Sequence, residues 1–416
     1  MTPQMKVIEF RCKSYKAFRE EARIQVRPLT LFFGKNNSGK SALLRLPRLL
    51  LRALSTRVRN GFPVKVDELG FAETFRDLTH GGLAHGAASF GIVIEDEGGR
   101  LDLAATVQNV QNMLPTAGLP KEFSVVSHLC IVTPAITLDW EPRSQMIAFY
   151  QGIGELPFRG LLPEIRGSHP EASKWRFVEE WRERVYTLED HISHLGPVRG
   201  DVPRVFEGGA APPFGFDGSG AVARLGQDRN LLEQVSSWFQ HHLDGWGVSL
   251  DYAGGAYRCL LRRGEISVNL ADVGHGIQQV LPVVVQQLSH QTGSAASVLD
   301  LVEQPELHLH AAAHAPLGDL FLETARQGQC QVMVETHSEN LLLRVRRRIA
   351  EGLDPSLVAL YFVLEQPGGY STVRSIEILP DGSVEWWPKG VFAEGYEELK
   401  ALNRAARRSG RRSTNP

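Results

Sequence analysis

Leu29-Thr30-Leu31-Phe32-Phe33-Gly34-Lys35-Asn36-Asn37-Ser38-Gly39-Lys40-Ser41 is the stretch that decides how this chain is read. From Gly34 onward it fits G-x-x-x-x-G-K-[ST], the pattern of a phosphate-binding loop. An apolar run with the length of a buried strand precedes the glycines, and Ala42-Leu43-Leu44 continues into helix-forming sequence. Gly34 and Gly39 let the backbone curl so that its N–H groups point inward at an anion. A helix that opens there adds unpaired N–H groups and the positive end of its dipole. Lys40 is placed to meet the terminal phosphates, and the Ser41 hydroxyl to ligate Mg2+. A Gly/Asn/Ser surface turn that matches by chance would lack this order of strand, loop and helix.

Composition sets wide bounds around the loop. A length of 416 residues suggests two or three domains, and 43% hydrophobic residues suffice for a full core. The 45 Lys+Arg against 47 Asp+Glu leave a net charge of -2, so basic surface for nucleic acid has to be local. Cys12, Cys130, Cys259 and Cys330 are far apart and form no C-x-x-C pair. That excludes a disulfide framework or zinc knuckle and fits a reducing cytoplasm. The N-terminus has no apolar signal region and no run approaches bilayer length, so no membrane is expected.

Ahead of the loop, Lys6–Arg11 and Arg23–Val26 read as strands, with Lys16 between them. Behind it, leucines alternate with Arg45, Arg48 and Arg52 in an amphipathic helix whose arginines read as a solvated edge, and Pro47 marks a kink or a tight packing point. Ser89–Ile94 and Leu101–Val107 read as a hairpin joined at Glu97-Gly98-Gly99-Arg100. A strand-like Ser124–Thr133 and a helix-like Ala172–Leu188 fall in a stretch without recognisable chemistry, taken as an inserted lobe. Residues 230–243 read as another amphipathic helix. The domain plan is therefore residues 1–108 for the first part of the core domain, 109–194 for the lobe, 195–365 for the second part, and 366–416 for a strand pair with a basic tail.

The second half returns to polar chemistry. Asp272-Val273-Gly274-His275-Gly276-Ile277-Gln278-Gln279 opens an apolar helix, a second place where N–H groups can meet an anion. Val298 to Glu303 is an apolar strand that ends in Glu303-Gln304-Pro305-Glu306, and an acid there suits Mg2+, which needs hard oxygen ligands near the phosphates. Gln331 to Glu335 is a short strand that ends in Thr336-His337-Ser338. His308, His310 and His314 could gather imidazoles, though no cysteine lies near them. Two basic runs, Arg344 to Arg348 and Arg407, Arg408, Arg411 and Arg412, read either as nucleic-acid contacts or as solvated surface.

Phosphate loop, glycine turn, strand-end acids and strand-end Thr-His-Ser, in that order, resemble the ABC-type ATPase head. The wording Glu303-Gln304-Pro305-Glu306-Leu307-His308-Leu309-His310 and Glu335-Thr336-His337-Ser338 more narrowly resembles the OLD-like and SMC-related repair ATPases, over roughly residues 1–80 and 195–395. Val373 to Phe392 is similar to a C-terminal region of unknown function found on a subset of them. The resemblance implies an α/β fold, a P-loop ATPase head of mixed sheet flanked by helices, with the α+β lobe inserted. It implies ATP and Mg2+ as cofactors. Nucleotide contacts would come from Lys16, Gly34, Asn36, Asn37, Ser38, Gly39, Lys40 and Ser41, and in the opposite subunit from Gly274, Gly276 and Gln278. Ser41 and Glu303 would hold the metal, Leu307 to His310 would be the D-loop, and His337 would sense the γ-phosphate. Asp77 falls about where the Q-loop belongs, without its glutamine.

Three departures bear on mechanism, one of them Ala311 in place of the proline that often follows Leu307 to His310. Gln304 occupies the position of the usual catalytic glutamate, and an amide cannot take a proton from water, so Glu303, Glu306 and His337 share the candidate catalytic roles with it. Gln278 stands where the family generally has serine. The resemblance implies a slowly hydrolysing ATPase that switches by forming a homodimer around ATP. Its setting would be prokaryotic anti-phage defence or DNA repair, with a separate effector protein and with DNA as a further partner. The alternatives are a non-hydrolysing nucleotide-bound scaffold and an OLD-type nuclease. Against the last, about 75 residues after His337 are few for a fused nuclease domain.

Overall fold

The computed structural model describes residues 5–55, 57–58, 61–67, 69–111, 122–141, 158–164, 172–209, 212–293, 298–388, 391 and 400. In chain order the main elements begin with β1 Lys6–Lys13, β2 Ala22–Gln25, β3 Leu29–Gly34 and α1 Lys40–Leu54. Next come β4 Ala87–Asp96, β5 Gly99–Gln111, β6 Glu122–Val132, β7 Thr137–Trp140, α2 Ala172–Glu189 and β8 Ile192–Leu195. Then follow α3 Ala221–Gln227, α4 Arg229–His242, β9 Gly247–Ala253, β10 Ala256–Arg263, β11 Ile266–Asn269 and α5 His275–Gln291. The last are β12 Leu299–Glu303, α6 His314–Gln327, β13 Gln331–Glu335, α7 Glu339–Ala350, β14 Val358–Gln366 and β15 Tyr370–Ile376.

Two six-stranded sheets organise the molecule. The first runs β2-β1-β4-β5-β6-β7 and is antiparallel throughout. The second runs β8-β12-β13-β3-β14-β15, parallel as far as β14, with β15 turned back against it. β3, β12 and β13 are almost wholly buried, as a parallel sheet covered on both faces must be, and they read as continuous apolar runs. Alternate side chains serve different cores. Phe32 points into one with α1, α2 and the antiparallel sheet, while Leu31 and Phe33 point into the other with α4, α5, α6 and α7. Each apolar side chain fully buried in these cores contributes roughly 1.5–3 kcal/mol relative to exposure.

The expected hairpin, helices and leading strands are all present, and α1 runs through Pro47, which is buried inside it. The arginine edge of α1 differs from expectation. Arg48 and Arg52 pair with the exposed Asp67 in the segment after α1, and Arg52 also with the buried Glu189 at the end of α2, which leaves both arginines largely covered. Leucines on one flank and acids from two neighbouring segments on the other leave little of this helix to solvent. Domain boundaries also differ. Position 108 falls inside β5, which pairs with β6, so the start of the supposed lobe extends the first sheet. Position 194 falls inside β8, an edge strand of the second sheet, and the C-terminal strand pair β14–β15 straddles 365. The tail arginines 407, 408, 411 and 412 lie outside the described residues.

Candidate functional site

β3 delivers the chain to Gly34 at φ 153°, and Gly39 sits at φ 98° immediately before α1. Neither position accepts another side chain. A Cβ on Gly34 would lie 2.6 Å from the Val363 carbonyl oxygen of β14, and one on Gly39 3.0 Å from the Phe18 ring. Asn37 is also left-handed at φ 63°, a conformation asparagine tolerates. The loop and its neighbours enclose an open pocket of about 500 Å³. Lys16, Asn36, Asn37, Gly39, Lys40, Ser41, Gln304 and His337 all line it, as does Glu335.

Lys40 is buried. Its Nζ donates to the Lys35 carbonyl at 2.8 Å and lies 3.9 Å from Glu335 Oε1. Burial lowers its pKa, against the attraction of Glu335 and Glu306. Lys16, left-handed at φ 49°, donates from Nζ to the Phe71 carbonyl at 2.7 Å, and burial lowers its pKa also. The Asp77 carboxylate accepts from the Thr74 N–H and hydroxyl, both at 2.9 Å, and its charge faces Lys16. Asp77 itself is not among the residues that line the pocket.

Of the acids at the strand ends, Glu303 is fully engaged. Arg45 Nε and Nη2 donate to its two oxygens at 2.7 and 2.6 Å, and His194 Nε2 is 2.8 Å from Oε1. Burial works to raise the Glu303 carboxyl, but His194 and Arg45 outweigh it and hold it below the usual range. Glu303 is not among the residues that line the pocket, in contrast to its expected role beside Ser41. Glu335 does line it. Its side chain is 3% exposed, it lines the pocket together with Ser41, and its Oε2 has no hydrogen-bond partner. Burial raises its pKa over the opposing effects of Ser41 and Lys40.

Glu306 is buried, and its Oε1 accepts the His337 backbone N–H at 2.6 Å. Burial raises this carboxyl as well, and the pocket lining does not include it. His337 reaches the pocket with Nε2 unpartnered. Burial first and Lys40 second push its pKa down to about 4, so the ring is neutral near pH 7. Gln304 is left-handed at φ 43°, and its N–H donates to the Glu335 carbonyl at 2.8 Å. Behind this turn Arg199 is buried. Its Nη2 donates to the Glu303 carbonyl at 2.8 Å, and its own N–H and carbonyl bind the Gln279 amide at 2.9 and 2.8 Å. Burial pushes Arg199 down to about 10.

At the start of α5, Gly274 is exposed and Gly276 packs so closely on the His308 carbonyl that a Cβ would collide with it. Gln278 departs from its expected role. It is buried and donates to the Leu270 and Val273 carbonyls, both at 3.0 Å, so its amide braces the preceding turn and does not face outward. The exposed residue of that helix start is His275. The histidine trio does not converge: among the described residues no group of three His, Cys, Asp or Glu is placed to share a metal, and His314 binds Ser338 and the Leu309 carbonyl. The basic run on α7 is also spoken for. Arg344 and Arg348 pair with Asp319, Arg347 and Arg348 with Glu351, and Arg346 donates to the Gly382 carbonyl.

Sequence reasoning passed over Glu335, Arg45, His194 and Arg199. Arg45 carried a readable signal, since it lies one helical turn beyond Ser41 on the same face. Glu335 needed the strand order, because only the insertion of β13 between β12 and β3 brings it beside the loop.

The architecture and this pocket define a class, the α/β P-loop ATPase head. The chain is similar to several known proteins. Residues 225–342 match the AAA ATPase domain family. The OLD nuclease of Thermus scotoductus (strain ATCC 700910 / SA-01) is 21% identical over 394 residues, which span 90% of this chain and 67% of that protein. The crystal structure of the SmcHead bound to the C-winged helix domain of ScpA superposes with a TM-score of 0.51 at 12% identity, over 89% of this chain and 98% of that one. The SMC head domain from Thermotoga maritima, at 13% identity, covers 90% of this chain and all of its own with a TM-score of 0.44. Residues 225–342 thus carry an AAA-type ATPase domain similar to that of the OLD nuclease, and the likeness to the SmcHead bears on the fold alone. No helix among the described residues is long and apolar enough to cross a membrane.

Proposed function

We propose that this chain binds ATP with Mg2+ at the Gly34–Ser41 loop and acts as a slowly hydrolysing switch that closes into a homodimer around the nucleotide. The backbone N–H groups of the loop, with Lys40, hold the phosphates, and Lys16, Asn36, Asn37 and Ser38 complete the cradle. Mg2+, when bound, neutralises charge between the outer phosphates. The neutral imidazole of His337 presents Nε2 to the terminal phosphate or to the attacking water. Gly274 and Gly276, at the start of α5, offer N–H groups to the nucleotide of the opposite subunit.

The observation that carries slow turnover is Gln304. It sits in the pocket where a proton acceptor is wanted, and its amide cannot serve. Glu306, the acid two residues on, already accepts the His337 N–H. The same two facts favour a second reading, a scaffold that holds ATP without cleaving it. In either case ATP-bound closure is passed to a separate effector or to DNA, in anti-phage defence or DNA repair.

Titration with ATP and Mg2+, gel filtration and phosphate release, on wild type and Lys40→Ala, test this. Removing a cation that donates charge-assisted bonds to phosphate costs about 1.5–3 kcal/mol per bond, so affinity falls at least tenfold. Unchanged affinity in Lys40→Ala removes the central claim. A wild type that stays monomeric with ATP and cleaves it rapidly removes the switch and the scaffold alike.

A further inference from the structure

We propose that Glu335, together with Ser41, supplies the protein carboxylate of the divalent-cation site, in the place expected of Glu303. This rests on the ATP-binding reading above. Parallel register sets the two acids side by side at the ends of adjacent strands, Glu303 of β12 opposite Glu335 of β13, with Glu335 in turn opposite Phe32 of β3. Glu335 is thus one strand closer to the loop. It lines the pocket together with Ser41, and its side chain is only 3% exposed, with Oε2 unpartnered.

The competing acid is not free. Arg45 grips both oxygens of Glu303 and His194 shares one of them, so a cation there would have to displace a bidentate guanidinium and then sit beside its charge. Glu306 faces the His337 backbone. Mg2+ binds through one or two protein oxygens, with phosphates and waters completing the shell, and a serine hydroxyl beside one carboxylate fits that demand.

Charge balance points the same way. The cation nearest Glu335 is Lys40, at 3.9 Å, and it donates to the Lys35 carbonyl. Phosphates draw Lys40 toward themselves when they enter. Glu335 then keeps a buried negative charge that needs a new partner, and a divalent cation on Ser41 provides it.

The test measures Mn2+ binding to the ATP complex by the electron paramagnetic resonance of free Mn2+, with ATP affinity in EDTA recorded alongside. Glu335→Gln should weaken Mn2+ binding about tenfold or more while ATP affinity in EDTA stays within a factor of about three, and Glu303→Gln should leave Mn2+ binding within the same factor. Glu335→Asp, which keeps a carboxylate one methylene shorter, should fall between wild type and Glu335→Gln and guards against a variant that fails to fold. Loss of Mn2+ binding in Glu303→Gln, or its retention in Glu335→Gln, overturns the assignment. Wild type that binds no ATP in EDTA or in Mn2+ removes instead the reading on which it rests.

Discussion

Arg45→Ala tests whether Glu303 is a structural counter-ion. In the folded chain Arg45 is 26% exposed at its side chain and Glu303 only 2%, joined by two bonds of 2.7 and 2.6 Å. Breaking a fully buried pair costs about 3–5 kcal/mol, because one charge is left without a partner. Partial exposure of Arg45 and the remaining contact from His194 reduce this to roughly 2–3 kcal/mol at pH 8. Dependence on pH gives a sharper reading. In wild type, burial holds His194 below its ordinary 6.5 despite the pull of Glu303. The unfolded chain therefore binds more protons, and the stability from the neutral ring is lost as pH falls below about 6.5. Without Arg45, Glu303 favours the imidazolium. The folded pKa of His194 then moves up toward its ordinary value against burial and Arg48, so less stability is lost as pH falls below about 6.5. Urea unfolding at pH 6 and pH 8 reads both effects. Wild type should lose stability toward pH 6 from this group, and the variant should lose less. Glu303→Gln in the Arg45→Ala background should recover part of the loss at pH 8. A variant within about 0.5 kcal/mol of wild type at pH 8, with the same pH trend, refutes the pairing.

Other substitutions probe the pocket. Gln304→Glu should raise steady-state phosphate release by about tenfold or more, since it restores a proton acceptor; flat or lower turnover means that the acceptor is already present. Gly276→Ala drives a Cβ into the His308 carbonyl, where backbone meets backbone, and should cost about 1–3 kcal/mol in thermal or urea unfolding; a neutral result means that the α5 start moves freely. The His337 ring, at about 4, should show no NMR titration between pH 5.5 and 8 in the nucleotide-free protein, and a midpoint near 6.5 contradicts its burial against Lys40. The stability carried by that neutral ring is present above about 6.5 and is lost as pH falls toward 4.

Local pattern carried much of this molecule. The strand–loop–helix order around Gly34 and Lys40 could be read directly, because glycine positions and apolar runs report backbone demands. Helices α2 and α4 followed from their stripes, and the β4–β5 hairpin from its Gly-Gly turn. Pairings across strands far apart in sequence were not readable. Glu303 looked like the metal acid because it ends a strand, but its partner Arg45 lies 258 positions away. Gln278 looked available because it opens a helix, yet its amide folds back on the Leu270 and Val273 carbonyls. The arginines of α7 read either as nucleic-acid contacts or as solvated surface, because their partner Asp319 sits on another helix. In each case the deciding group was polar, buried and distant, and periodicity carries no record of such a contact.

Arg199 links two elements of the site, the start of α5 and the end of β12. Its backbone clasps Gln279 near the start of α5, and its guanidinium holds the carbonyl of Glu303, next to Gln304. A shift of α5 against the parallel sheet therefore pulls on the strand end that presents Gln304 to the pocket. Thermodynamic reciprocity follows from that mechanical tie. Any protein that grips the exposed start of α5 and changes nucleotide affinity by some factor must find its own affinity changed by the same factor when nucleotide binds.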